Sequence, residues 1–185
     1  MIKYIIGVDE VGTGSAVERL VVCGVKASPE WTLDCLNDSK KLSLSKRKSA
    51  RDLILKEDIS FYIAERSNIE IDELGLAKAL KDAYLEVFKN LYNEDCKIIC
   101  DGNIKFEKDN YNRENLIKAD TKISTVMAAS ILAKTYRDDI LCNLSKDFPE
   151  YGFETNAGYL SKKHKEAIQK YGLTSFHRKS YNIKL

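Results

Sequence analysis

Histidine is nearly missing from this chain: of 185 residues only two are histidine, His164 and His177, both in the C-terminal tail. No Ser-His-Asp or Cys-His arrangement therefore stands out. Long apolar runs are missing as well. None approaches the roughly 18 residues that a membrane span needs. Met1-Ile2-Lys3-Tyr4 leads straight into an apolar segment and leaves no room for a signal peptide, so a cytoplasmic protein is expected. Charge of one sign is not in excess either: 30 basic and 28 acidic residues leave +2, and overall charge names no partner. Gly12-Thr13-Gly14 lacks the third glycine and the following helical pattern of a dinucleotide-binding loop. Repeats and low-complexity tracts are absent.

Five cysteines, Cys23, Cys35, Cys96, Cys100 and Cys142, are an odd and scattered set, expected to stay reduced. Cys96 and Cys100 flank Lys97-Ile98-Ile99, which reads as a strand. There their sulfurs would lie more than about 10 Å apart, too far to share a zinc ion. A hydrophobic fraction of 44% with 31% charged residues describes a folded chain with a full core.

The segment that organises the rest is Ile5-Ile6-Gly7-Val8-Asp9-Glu10-Val11-Gly12-Thr13-Gly14. An apolar strand ends in two adjacent carboxylates, with glycines behind them that permit a tight turn. Two neighbouring carboxylates repel each other and resist burial unless a cation neutralises them. Oxygen-only ligands of this kind suit Mg²⁺ or Mn²⁺. A plain solvated loop fits the segment equally well on its own.

Leu20 to Val25 reads as a second strand returning antiparallel to the first. Leu33 to Leu36 is expected as a short helix. From Asp38 to Arg51, four lysines and two arginines against one aspartate give a local charge of +5. This is a solvated helix start capped by Ser43 or Ser45 and running to Lys56, or else a phosphate-contacting loop. Ile59 to Glu65 forms a third strand. Helical spacing then runs from Ile69 to Leu74 and, through Leu76, Leu80, Tyr84 and Phe88, to about Tyr92. Lys97 to Cys100 is a strand ending in Asp101-Gly102, and Leu116 to Asp120 is read as another short run ending in aspartate. A long helix from Ser124 to Leu144 follows, its N-terminal dipole favouring nearby negative charge. After the aromatic link Phe148 to Phe153 comes a basic helix from Ser161 to Tyr171, closed by Gly172. Six lysines and one arginine against one glutamate give residues 161–185 a charge of +6. That segment is either an exposed face docked on the core or a groove for a nucleic-acid backbone.

Asp9, Glu10, Asp101 and Asp120 thus fall at the ends of three expected strands. If those strands end together, the carboxylates meet in one patch able to hold two hard divalent ions, and such a pair favours in-line displacement at phosphorus. Basic segments on the rim would hold a polyanion. The residues alone point to a metal-dependent phosphodiesterase of open substrate.

The order and spacing of several motifs then resemble type 2 ribonuclease H, the ribonuclease HII/HIII family, along almost the whole chain. They are Gly7-Val8-Asp9-Glu10-Val11-Gly12-Thr13-Gly14, Asp38-Ser39-Lys40-Lys41-Leu42, Asp101-Gly102-Asn103, and Ala119-Asp120-Thr121-Lys122. Ala128 to Lys134, Arg137-Asp138, Gly158-Tyr159, Lys163-His164, Tyr171-Gly172 and His177-Arg178-Lys179-Ser180 complete the series. The resemblance implies an α/β, ribonuclease H-like fold: a central mixed five-stranded sheet flanked by helices. Residues 1–145 would form the catalytic core and 146–185 a helical C-terminal substrate-binding extension of the same globular unit. It implies hydrolysis of RNA in RNA/DNA hybrids, or at ribonucleotides in duplex DNA, leaving 5′-phosphate and 3′-hydroxyl ends. Two Mg²⁺ or Mn²⁺ ions would sit on Asp9, Glu10, Asp101 and Asp120. Gly12, Thr13, Gly14 and Tyr159 would meet the ribonucleotide; Ser39, Lys40, Lys41, Lys163, Arg178 and Lys179 would hold the backbone. A monomer is expected.

Two departures bear on substrate choice. Gly12-Thr13-Gly14 stands where the HII branch carries Gly-Arg-Gly, and Val17-Glu18-Arg19-Leu20 where the family has Ala-Gly-Pro-Val. They imply an intact centre and leave the excision of a single embedded ribonucleotide open, with Arg19 near enough in sequence to replace the missing charge. The rival readings are a catalytically inactive hybrid-binding protein and another acidic-centre nuclease acting on DNA.

Overall fold

Alternation along the first strand decides which groups meet on each side of the sheet. The computed structural model describes residues 1–36, 42–107 and 109–184. Strand β1 (Tyr4–Val11) is flanked antiparallel by β2 (Leu20–Ala27) and parallel by β4 (Cys96–Asp101). Beyond them lie β3 (Ser60–Arg66), antiparallel to β2, and β5 (Arg113–Leu116), parallel to β4. The order β3-β2-β1-β4-β5 is the expected mixed five-stranded sheet.

Successive strand side chains point to opposite faces. Ile6 and Val8 pack with Val22, Ile98 and Cys100 against Tyr84, Val87 and Phe88 of α3 (Leu76–Leu91). The opposite face carries Ile5 and Ile99, which cluster with Val126, and Val21, Cys23 and Val25, which cluster with Ala128, Ala129 and Leu132. These belong to α4 (Ser124–Asp147), the longest helix, whose start lies hard against β1 at Gly7. A Cβ on Gly7 would come within 2.2 Å of the Val126 backbone nitrogen, so only glycine lets strand and helix touch there.

Helix α1 (Leu44–Ile54) is capped by Ser43, one of the two expected caps, and ends two residues short of Lys56. Helix α2 (Asn68–Leu74) opens on a reciprocal Ser67–Glu70 capping box. In the last part of the chain, α5 (Phe153–Asn156) and α6 (Lys162–Tyr171) gather round a separate cluster. There Phe153, Ala167 and Ile168 pack with Leu141 and Leu144 of α4 and with Val17.

Two expected elements differ. Leu33 to Leu36 forms a single turn, closed by Leu36 N–H donating to the Leu33 carbonyl, because four residues close only one such bond. Leu116 to Asp120 does not end a strand in aspartate. β5 stops at Leu116, Lys118 turns into the left-handed region (φ 59°), and Asp120 sits in a 3-10 turn, Ala119–Thr121, that leads into α4.

Candidate active site

The adjacent carboxylates Asp9 and Glu10 straddle the sheet. Asp9 occupies an α4-facing position of β1, opposite Cys23 of β2, and Glu10 the alternate position, opposite Val22. Parallel pairing matches Val8 with Cys100, which brings the next residues on, Asp9 and Asp101, side by side at the ends of neighbouring strands. Asp101 then accepts a 2.7 Å bond from the backbone N–H of Ala119, and Ala119 immediately precedes Asp120. One oxygen from each of Asp9, Asp101 and Asp120 lies within 4.8 Å of the others. Asp9 and Asp120 are buried, and Asp101 is partly buried.

Burial raises the Asp9 pKa above the usual carboxylate value. A hydrogen bond from Ser130 and the charge of Lys134 act the other way, while Asp101 adds to the rise. Lys134 Nζ donates to Ser130 Oγ at 2.7 Å, so α4 supplies a hydroxyl and a cation at i and i+4, facing the carboxylate. The backbone N–H of Glu10 completes the set, donating to Asp9 Oδ1 at 2.8 Å. Glu10 is braced from the other face, where the Tyr84 hydroxyl donates to its Oε2. Burial raises the Glu10 pKa to about 7; the Tyr84 bond opposes this, and the charges of Asp9 and Asp101 reinforce it. The site stores carboxylate repulsion in a poorly hydrated place, and an oxygen-only donor set of this kind fits hard divalent cations.

Beside the carboxylates, Gly12 takes φ +89° and begins a turn in which Ser15 N–H donates to its carbonyl. Two buried arginines hold this loop. Arg137 of α4, 1% exposed, donates to the carbonyls of Val17, Arg19 and Ala157 and to Ser15 Oγ. Arg178, 0% exposed, donates to the carbonyls of Glu18 and Thr13 and to the Tyr181 hydroxyl, while Tyr181 in turn donates to the Thr13 carbonyl. Arg178 was expected among the phosphate contacts. Its guanidinium instead lies inside, with Nε and Nη1 given to the backbone carbonyls of Glu18 and Thr13. Arg19 does not replace the charge missing at Thr13 either, because it is paired with Glu18 and Glu65.

Tyr159 is 47% exposed and lies against this loop: a Cβ on Gly14 would come within 3.3 Å of its ring. Lys163, in the first turn of α6, and Lys179 are exposed. Ser39, Lys40 and Lys41 fall outside the described residues. The sequence reads Tyr84 as core packing and Ser130 as part of a small-residue helix face, and offers Lys134 and Arg137 only as parts of matching motifs. The signal for Ser130 and Lys134 was their i, i+4 spacing just after Asp120. Tyr84 gave none, since a tyrosine in an apolar stripe looks like any other core aromatic.

The ribonuclease HII family model matches residues 6–184. Ribonuclease HII of Francisella philomiragia is 42% identical over 177 residues, which cover 96% of this chain and 95% of that one. Among solved structures, ribonuclease H2 from Pyrococcus horikoshii superposes with a TM-score of 0.80 at 23% identity, over 97% of this chain and 94% of its own. Bst-RNase HIII in complex with Mn²⁺ shares the fold at a TM-score of 0.65 and 20% identity, over 91% of this chain and 63% of its own. With the family model matched from residue 6 to residue 184 and a 42% identical relative aligned over nearly its whole length, the chain belongs to the ribonuclease HII family, and its activity is that of a type 2 ribonuclease H, an endoribonuclease acting on RNA paired with DNA.

Proposed function

We propose that Asp9, Glu10, Asp101 and Asp120 together hold two divalent cations, Mg²⁺ or Mn²⁺, and that cleavage leaves a 5′-phosphate and a 3′-hydroxyl. The observation that carries this reading is the convergence of the three aspartates to within 4.8 Å, from β1, β4 and the turn before α4. Bst-RNase HIII, which shares the fold, was solved with Mn²⁺. Bound there, the cations would activate water and stabilise the departing oxygen. The protein's own part is to fix the carboxylates. Ser130 and Lys134 hold Asp9, the Tyr84 hydroxyl holds Glu10, and the Ala119 N–H ties Asp101 to the turn that carries Asp120.

Gly12, Thr13 and Gly14 offer a backbone edge to the ribose 2′-hydroxyl, which both donates and accepts, and Tyr159 lies against the same loop to stack on a sugar. Ser39, Lys40, Lys41, Lys163 and Lys179 are assigned to phosphates. Five free thiols fit a reducing cytoplasm, and the enzyme is read as a monomer with residues 146–185 as its substrate-binding extension. Three labelled duplexes test the function: one ribonucleotide, four consecutive ribonucleotides, and DNA alone, each in Mg²⁺ and in Mn²⁺. Cleavage is expected at ribonucleotides only and should vanish in Asp9→Asn. Undiminished cleavage by Asp9→Asn, or equal cleavage of the all-DNA duplex, would sink the assignment.

A further inference from the structure

The two histidines of the chain meet in its interior. Both are fully buried, and their Nε2 atoms lie 3.1 Å apart. Each remaining ring nitrogen has a backbone partner that fixes its proton; the Thr174 hydroxyl, which can donate or accept, also lies 2.9 Å from His177 Nδ1. His177 Nδ1 lies 2.9 Å from the backbone N–H of Thr174, which can only donate, so Nδ1 accepts and the His177 proton sits on Nε2. His164 Nδ1 lies 2.9 Å from the Tyr159 carbonyl, which can only accept, so Nδ1 carries the His164 proton and Nε2 is left to accept. One arrangement satisfies all four nitrogens: Thr174 N–H to His177, His177 Nε2–H to His164, His164 Nδ1–H to the carbonyl of Tyr159. The chain runs in one direction with both rings neutral.

Its end point is the residue assigned to the sugar. Besides the imidazole, the Tyr159 carbonyl accepts the Ser161 N–H at 2.8 Å, and Ser161 Oγ caps α6 at the His164 N–H. The Tyr159 backbone is thereby joined to the start of α6 and to the Thr174–His177 turn, whose last residue, His177, bridges Val17 beside the glycine loop. The rings of Tyr151 and Phe153 enclose the pair, and the Tyr151 hydroxyl is committed to the Gly172 carbonyl. Among the described residues no carboxylate hydrogen-bonds or ion-pairs with either imidazole, and burial outweighs the backbone bonds at Tyr159 and Thr174 that favour a charged ring. Arg178, next in sequence, has its guanidinium at the Glu18 and Thr13 carbonyls.

We propose that His164 and His177 are positioning residues for substrate: a neutral, one-way hydrogen-bond relay that holds Tyr159 against the glycine loop at the height a ribonucleotide requires. The proposal rests on the reading of Tyr159 as a substrate contact. An exposed tyrosine on a short loop is held there by its backbone, and a relay anchored in the hydrophobic interior gives that backbone a fixed reference.

Two amides of related size separate the relay from general packing. His164→Asn places its side-chain N–H near the Nδ1 position and keeps the donor to Tyr159. His164→Gln places its amide near the Nε2 position, keeping contact with His177 and dropping the donor to Tyr159. With a hybrid duplex, saturating Mn²⁺ and chemistry slow enough for KM to report binding, His164→Gln should raise KM about tenfold, the weight of one buried hydrogen bond. The change in kcat should stay within about twofold, and His164→Asn should recover most of the KM loss. In a Tyr159→Ala background the His164→Gln effect should disappear, since residues acting through one group do not add. Effects that multiply in the double variant, a greater loss in His164→Asn than in His164→Gln, or a fall in kcat at constant KM would overturn the relay. Tyr159→Ala with an unchanged KM would instead overturn the reading of Tyr159 itself, and the relay with it. If neither His164 variant folds, His177→Gln carries the cycle with the same expected coupling to Tyr159.

Discussion

Asp101 accepts its 2.7 Å hydrogen bond from the backbone of Ala119, and by that contact one carboxylate of the site positions the next. The turn bearing Asp120 begins at Lys118, in a left-handed conformation, and has no side-chain cap. The charge-assisted bond from Ala119 to Asp101 is what ties it to the end of β4. Asp101→Asn keeps an acceptor for Ala119; Asp101→Ala does not. Both should abolish metal-dependent cleavage. Only Asp101→Ala should also lose stability, by about 1–3 kcal/mol, through a freed buried N–H. Urea melts of the two variants in EDTA check the difference, and equal midpoints would remove the turn-holding role.

Tyr84 reaches Glu10 from the opposite face of the sheet and is itself fully buried, edge-on to Phe88 and Phe106. Tyr84→Phe retains the ring packing and deletes the donor. Without it Glu10 is a less stabilised anion, so the site should need more Mg²⁺ to reach half-maximal rate, by roughly three- to tenfold. A Mg²⁺ titration of initial rates measures this. An unshifted midpoint with a lowered plateau would mean that Tyr84 serves the fold and not the carboxylate.

Much of the centre was legible because it is built from local patterns. An apolar run that meets Asp9-Glu10 within the last residues of β1, and another that ends β4 at Asp101, mark two strand ends in a few residues. Asp120 was legible as a residue but not as a conformation. Leu116 to Asp120 has the composition of a strand end, but Lys118 turns left-handed, local bonds to the Lys118 and Ala119 carbonyls close a turn, and the bond to Asp101 ties that turn to β4. Arg178 was misread because an arginine in a basic tail is usually solvated; carbonyls from residues 13 and 18, some 160 positions away, draw it inside. The histidine relay is equally invisible in sequence, since His164 and His177 sit in separate segments and meet only through packing on Tyr151 and Phe153.

Gly12 is required twice over. Its φ of +89° lies in the region that side chains avoid, and a Cβ there would come within 2.4 Å of Arg137 Nε. Gly12→Ala must therefore strain the turn and push the guanidinium off the carbonyls of Val17, Arg19 and Ala157. The expected loss is about 2 kcal/mol or more of stability, with a raised KM for hybrid because Thr13 and Gly14 shift with the turn. Gly75→Ala is the control: its φ of +78° carries similar strain, but no atom lies within 4 Å of the added Cβ and the position is on the α2–α3 join. It should lose stability and leave KM unchanged. Similar KM values for the two variants would detach the loop from substrate binding.

Acid should act on this fold in two opposed ways. Burial and the neighbouring His164 lower the His177 pKa from 6.5 to about 4. Below pH 6.5 the unfolded chain takes up this proton before the folded one, so its contribution to stability is lost progressively as pH falls toward 4. The pKa of Glu10 is raised from 4.5 to about 7, chiefly by burial. Between pH 7 and 4.5 the folded protein takes up that proton first, so stability is gained as pH falls. In metal-free buffer the two slopes oppose each other, and the thermal midpoint of the native protein should change little from pH 7 to 5. Glu10→Gln removes the share of the gain that Glu10 supplies, leaving that of Asp9, and exposes the loss: its midpoint should start higher at pH 7 and fall relative to that of the native protein as the solution is acidified. His177→Gln removes the larger share of the loss, leaving that of His164, whose pKa burial also lowers, and its midpoint should rise relative to that of the native protein over the same interval. Thermal melts of the three proteins at half-unit steps in EDTA decide the matter, and parallel curves would show that neither group controls acid stability.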